Sequence, residues 1–220
     1  MLLAAAVFPA APAQAAPKVD CARMKCLALT FDDGPAPATT GKLLTLLKKE
    51  KVKATFFVVG KAVEKRPAVL KRTYAEGHEI GNHTYDHPSL PEMMDQEITQ
   101  QLQITQDAIE GVIGRRPTMF RPPYGHSDDR VLGLAAQEGL AQVKWTATTL
   151  DWSLRDTEKI TRTVLKLARR NGVILMHDTV PQTVAAMPAV IKELKKRGYQ
   201  LVTVSQLTAG KPLRAGDKFP

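Results

Sequence analysis

Helical stretches in this chain stop at Gly77, Gly139, Gly172 and Gly198, and an apolar, strand-like run begins within a few residues of each stop. Glycine suits that position because the left-handed backbone that closes a helix carries no side-chain clash for it. The strand-like runs are 26–31, 54–59, 79–81, 118–120, 141–145, 173–176 and 200–204. Between them, apolar residues recur at helical spacing over 39–50, 67–76, 91–114, 128–138, 156–170 and 184–197; Leu43, Leu44, Leu46 and Leu47 mark the first of these stretches. Seven strands alternating with helices imply parallel strands with helices outside, as an open doubly wound sheet or a closed barrel. The segment after Ala209 has no such pattern and reads as an irregular tail.

Unusual polar clusters fall just after the strands: Asp32-Asp33, His83-Thr84-Tyr85-Asp86-His87, Arg121-Pro122-Pro123-Tyr124-Gly125, Asp151-Trp152 and His177-Asp178. Parallel strands carry all five to one face, which is where α/β folds build their sites. Taken alone, Asp32-Asp33-Gly34 reads as a solvated turn. Two adjacent carboxylates resist ionising together unless cations compensate them, so the pair asks for a metal or an arginine. His83 and His87, four apart, aim two imidazoles at one point if the backbone turns helically there. With one of the two acids they form a set of two imidazoles and a carboxylate that leaves coordination positions open, the composition of a catalytic zinc site. His78 and His126 lie outside that spacing and read as ordinary loop or surface histidines. Asp178 reads as a helix cap, and Trp152 on packing grounds alone as a core residue.

At 220 residues and 44% hydrophobic content the chain can bury one sizeable core. Residues 1–16 are uncharged and end in Ala13-Gln14-Ala15, a small-x-small pattern that fits a signal peptidase site without a basic n-region, and the run is too short to span a bilayer. Export makes a local disulfide the simplest use of Cys21 and Cys26; two thiols with no further Cys or nearby His make a poor zinc site. The net charge of +9 is assigned to solvated helix faces such as Lys48-Lys49 and Lys195-Lys196-Arg197. Nucleic-acid binding would want aromatics interleaved with the basic residues, and only 5% of the chain is aromatic.

The motifs Thr30-Phe31-Asp32-Asp33-Gly34-Pro35, His83-Thr84-x-x-His87, Arg121-Pro122-Pro123-Tyr124-Gly125, Asp151-Trp152 and Leu175-x-His177-Asp178 occur in the order seen in polysaccharide deacetylases of the NodB-homology type, carbohydrate esterase family 4, which the chain resembles over roughly residues 26–205. The resemblance implies a single-domain α/β fold, a distorted (β/α)7 barrel, at 26–208, preceded by a signal peptide at 1–16 and a short segment at 17–25, with the tail at 209–220. It implies that Asp33, His83 and His87 hold a divalent metal, usually Zn2+ with Co2+ as a substitute. Asp32 would be the base that deprotonates the metal-bound water, and Arg121 would pair with it. His177 would be the acid, oriented by Asp151, while the backbone N–H of Tyr124 would serve the oxyanion and Leu175 and Trp152 would wall the acetyl group and the sugar. The family's fourth motif commonly reads Asp-x-x-Asp-Trp; here Thr148 stands at its first position, which alters local hydrogen bonding and leaves Asp151 in place. The implied function is a secreted or envelope-located, monomeric hydrolase that removes N-acetyl groups from N-acetylglucosamine polymers, chitin or peptidoglycan, with no nucleic acid or membrane span involved. An acetylxylan esterase and an inactive carbohydrate-binding protein are the alternatives.

Overall fold

The computed structural model describes residues 19–220, so the proposed signal segment and its cleavage site lie outside the described residues. The chain runs β1 (Cys26–Asp32), α1 (Thr39–Lys49), β2 (Thr55–Val58), α2 (Gly60–Lys65), α3 (Pro67–Ala75), β3 (Glu79–Asn82), α4 (Asp95–Ile113), β4 (Met119–Phe120), α5 (Asp129–Gln137), β5 (Ala141–Val143), β6 (Ala147–Thr148), α6 (Asp151–Leu154), α7 (Thr157–Leu167), β7 (Gly172–His177), α8 (Pro181–Lys196), β8 (Gln200–Val202), α9 (Val204–Leu207) and β9 (Lys218–Phe219). Among the described residues, no helix is long and apolar enough to cross a membrane.

Every strand pairing is parallel, in the order β6-β7-β1-β2-β3-β4-β5-β9, with β8 against the first half of β1. The sheet curls into a distorted (β/α)7 barrel with helices outside. β1 is its centre. Its seven residues, CLALTFD, are all buried, as a strand covered on both faces must be. On one edge β1 pairs with β7 from Leu27 to Asp32, and its other pairings are divided between β8 at Cys26–Ala28 and β2 at Thr30–Asp32. One cluster of buried side chains, including Leu29, Phe31, Phe56, Ile174 and Met176, packs these strands under α1 and α8. Phe57, Met119, Val143 and Val173 belong to a separate cluster.

Several expectations need correction. The tail is not irregular: Lys218–Phe219 forms β9 and pairs with β5. Two residues without an apolar run give no strand signal, because their pairing comes from a distant partner. β6 was likewise hidden, and α2 begins two residues after β2, so that segment is more helical than its pattern shows. The 91–114 stretch is broken into a 3-10 turn at Leu90–Glu92 and then α4, because Met93 and Met94 are extended. Cys21 and Cys26 are joined in a disulfide, and Cys26 is fully buried beside Val202.

His78 is not a surface histidine. Only 3% of it is exposed, its Nδ1 accepts the Ala54 N–H at 3.2 Å, and its ring meets Phe56 edge-on. Nδ1 accepts, so the proton sits on Nε2, which has no partner among the described residues. Burial, reinforced by Lys53, lowers its pKa to about 4 from 6.5. The unfolded chain therefore binds a proton that the folded chain refuses. The stability contribution is present above pH 6.5 and is lost as pH falls toward 4, an effect of about 3 kcal/mol in all. In urea titrations between pH 7 and pH 4, His78→Gln is expected to lose less stability than the parent; parallel pH slopes for the two would refute the assignment.

Candidate active site

β1 ends by delivering Asp32 and Asp33 to the carboxyl edge of the sheet, and β3, β4 and β7 deliver His83, Arg121 and His177 to the same edge. Asp32, Asp33, His83, His87, Tyr124, Trp152, Leu175 and His177 line one cavity of about 440 Å³. Arg121 and Asp151 do not line it; both are fully buried behind it. Another cavity of about 450 Å³, between the Cys21 turn and the C-terminal tail, contains none of the five clusters.

Asp33 Oδ1 lies 3.4 Å from His83 Nε2 and 3.4 Å from His87 Nε2. That oxygen is buried and has no hydrogen-bond partner among the described residues. His83 Nδ1 sits 2.7 Å from the Arg121 carbonyl, which can only accept, so Nδ1 carries the proton and Nε2 presents its lone pair to the cavity. An orphaned carboxylate oxygen and two imidazole nitrogens, all within 4.8 Å of one another, fit a divalent cation. Burial alone would raise the Asp33 pKa, but the imidazoles of His83, His177 and His87 outweigh it and bring it down to about 2. Burial lowers the His87 pKa, and His83 adds to that.

The two histidines do not converge through a helix. Thr84 and His87 adopt φ of 64° and 64° in the loop after β3, and Asn82 Oδ1 and Thr84 Oγ1 take up the N–H groups of Thr84 and His87. Asp33, Tyr124 and Leu150 also have positive φ, at 72°, 59° and 53°. Left-handed backbone at so many non-glycine positions costs roughly 1–3 kcal/mol each and collects where a site imposes it.

Asp32 is answered from beneath. Arg121 Nη1 donates to Asp32 Oδ1 at 2.7 Å and to Thr30 Oγ1 at 2.8 Å; Nε donates to the Val143 carbonyl at 3.1 Å and Nη2 to that of Lys144 at 2.8 Å. The guanidinium also lies over the Phe57 ring, 4.1 Å from its centroid. The second Asp32 oxygen, Oδ2, stands 3.7 Å from His83 Nε2, beside the candidate metal position. Asp32 thus has a guanidinium to itself, while Asp33 stands among imidazoles.

On the far wall, His177 Nδ1 is 2.8 Å from Asp151 Oδ1, and Asp151 Oδ2 accepts the His177 backbone N–H at 2.8 Å and the Thr183 hydroxyl at 2.6 Å. Burial disfavours the charged imidazole, yet Asp151 overrides it and His177 is pushed up to about 9. With Nδ1–H on Asp151, its Nε2 faces Asp33 Oδ2 at 3.9 Å.

Asp178 is not a helix cap. Val180 holds the N-cap position of α8, while the Asp178 carboxylate is fully buried and accepts the Thr40 hydroxyl of α1. It also lies flush against Gly34, where any Cβ would collide with it. Burial raises its pKa to about 7. His126 is exposed, with Ser89 Oγ 3.3 Å from its Nδ1. Trp152 is 56% exposed and stands at the cavity mouth instead of in the core. Thr148 also lines the cavity, and its hydroxyl accepts the Leu150 N–H at 3.4 Å. Trp145 and Leu150 complete the apolar lining and were not anticipated. Trp145 carried a signal all the same, since it sits just past a strand end where the other site residues sit.

A family model described as polysaccharide deacetylase matches residues 20–143. The peptidoglycan-N-acetylglucosamine deacetylase PgdA of Listeria monocytogenes is 40% identical over 195 residues, covering 89% of this chain and 41% of the relative. The peptidoglycan-N-acetylmuramic acid deacetylase PdaC of Bacillus subtilis is 44% identical over 190 residues, covering 86% of this chain and 40% of the relative. The chain thus spans less than half the length of these two relatives. A solved structure described as T48 deacetylase with substrate superposes with a TM-score of 0.88 at 42% identity, covering 92% of this chain and 100% of that one. Motif order, strand-end geometry and these matches agree, and the chain belongs to the polysaccharide deacetylase family.

Proposed function

We propose that this chain is a metal-dependent deacetylase acting outside the cytoplasm on N-acetylglucosamine polymers, peptidoglycan before chitin, and releasing acetate. The observation that carries the reading is one cavity toward which Asp33, His83 and His87 turn a carboxylate oxygen and two imidazoles, flanked by two oriented charge pairs, Asp32–Arg121 and His177–Asp151. The names of the two relatives, both peptidoglycan deacetylases, favour that polymer.

In this mechanism Asp33, His83 and His87 hold the cation, zinc or cobalt by the donor set. When bound, such an ion polarises the acetyl carbonyl and makes a water acidic enough for a carboxylate to deprotonate. Asp32 would take that proton through Oδ2 as the water oxygen bonds to the acetyl carbon, while Arg121 fixes Oδ1. The N–H of Tyr124 assists the negative oxygen that develops on the carbonyl. As the C–N bond breaks, the amine leaves with a proton from His177 Nε2, and Asp151 stabilises the imidazolium until it is spent. Leu175 and Trp152 border the acetyl methyl and the sugar.

Acetate release from peptidoglycan, chitin oligomers and acetylated xylan, measured side by side with and without chelator, tests the reading. Release from the N-acetylated polymers should vanish in chelator and return with zinc or cobalt. Full activity in chelator would remove the metal from the mechanism. Release from xylan alone would make the chain an O-deacetylase, and release from none would make it a binding protein.

A further inference from the structure

Asp33 offers a carboxylate oxygen to the candidate metal position, yet no hydrogen bond from the protein aims it: Oδ1 is buried and has no partner among the described residues. Its other oxygen stands 3.9 Å from His177 Nε2, beyond hydrogen-bond reach. Asp32 is held differently, by a guanidinium on its own carboxylate. The direction of the Asp33 side chain is therefore set by its backbone, left-handed at φ 72°, and by whatever anchors the segment that follows.

Residues 34–36 are anchored at each peptide. The Gly34 carbonyl accepts the Val59 N–H at 3.1 Å, Arg66 Nη1 donates to the Pro35 carbonyl at 3.4 Å, and the Ala36 N–H donates to Thr40 Oγ1 at 2.7 Å. Thr40 in turn donates its hydroxyl to Asp178 Oδ2, and the Asp178 carboxylate occupies the space over Gly34 that a Cβ would take. Both side chains are buried, and Asp178 Oδ1 has no partner among the described residues. Asp178 is not on the lining of the catalytic cavity. A buried carboxylate with so little hydrogen bonding is costly, so packing alone does not account for an acid here. Its place in the sheet does: the β1–β7 ladder ends at the pair Asp32 and His177, and the contacts of Asp178 with Gly34 and Thr40 join the two strands just past that last rung.

We propose that Asp178 is a positioning residue for Asp33: with Thr40 it clamps the turn after β1 to the loop after β7, and so holds the backbone that aims the Asp33 carboxylate. The inference rests on the reading of Asp33, His83 and His87 as a cation site. Asp33 and the acid His177 stand on the two segments that the clamp joins, so it keeps the cation position and the proton donor at a constant separation. Supports of this kind behind a metal ligand act on the affinity for the ion, because a ligand free to wander loses part of its binding energy in being ordered.

The test titrates Co2+ into chelator-treated protein by calorimetry, beside urea unfolding of the same samples, for the parent, Asp178→Ala, Asp178→Asn, Thr40→Val and Thr40→Ser. Asp178→Ala and Thr40→Val are each expected to weaken Co2+ binding by about 10-fold. Asp178→Asn keeps the shape and an oxygen for the Thr40 hydroxyl, and Thr40→Ser keeps the hydroxyl, so both should retain most of the affinity. Joining Asp178→Ala with Thr40→Val should cost no more affinity than either alone, since the two act through one clamp. A residue that serves stability only would lower the urea midpoint and leave the Co2+ affinity of the folded protein at the parent's value. That result in Thr40→Val, which carries the test if Asp178→Ala does not fold, would overturn the positioning role, as would losses in Asp178→Asn and Thr40→Ser equal to those in Asp178→Ala and Thr40→Val. If the parent itself takes up no Co2+, the metal reading fails and the positioning role falls with it.

Discussion

Asp32→Asn is expected to lower kcat by about 10³-fold while the protein still binds an added divalent cation. The amide oxygen can still accept from Arg121 Nη1, so the side chain stays where Asp32 Oδ1 now lies, 2.7 Å from the guanidinium. What disappears is the basic oxygen facing the cavity. Asp33→Asn is expected to lose cation binding along with activity, because Asp33 Oδ1 is the atom that sits between His83 and His87. Metal analysis of the two purified variants, set beside their acetate release, separates the two acids. Cation binding lost from Asp32→Asn and kept in Asp33→Asn would mean that their roles are exchanged.

The largest stability effect belongs to Arg121. Arg121→Met would fill much of the same volume, yet it removes four hydrogen bonds and leaves the Asp32 carboxylate buried without its counter-ion. Removing one partner of a buried ion pair costs roughly 3–5 kcal/mol. Urea unfolding of Arg121→Met should show a loss of that size, and the double variant with Asp32→Asn should lose less than the sum of the two single changes. A loss below about 1 kcal/mol would show that the guanidinium is not the anchor its contacts indicate.

The strands that carry the site were legible because each is an apolar run with a glycine stop or a turn beside it, and parallel alternation then places their ends together. Asp33, His83, Arg121 and His177 could be assigned to one face on that ground alone. What could not be read were features created by distant partners. β9 has two residues and exists through β5. His78 has no special spacing, and its contacts are with Phe56 of β2 and with the N–H of Ala54 just before that strand. Helical spacing was the ground for expecting His83 and His87 to converge, and it does not hold: the loop brings the two imidazoles together through left-handed residues. Asp178 looked like a cap because caps are local; its contacts with Thr40 and Gly34 are not.

The sheet order begins at β6 and ends at β9 beside β5, although only Lys144, Trp145 and Thr146 separate β5 from β6 in the chain. Those three residues cross a seam at which, among the described residues, no strand ladder closes the barrel: the Lys144 N–H goes to Phe219 on one side and the Thr146 N–H to Val173 on the other. The carbonyls of Val143 and Lys144 at the seam are claimed by Arg121, the same guanidinium that holds Asp32. A single side chain is therefore both rivet and counter-ion. Drift that dispensed with the base would unbalance a buried charge at this join of the barrel, so in this architecture retiring the chemistry carries a penalty in foldedness.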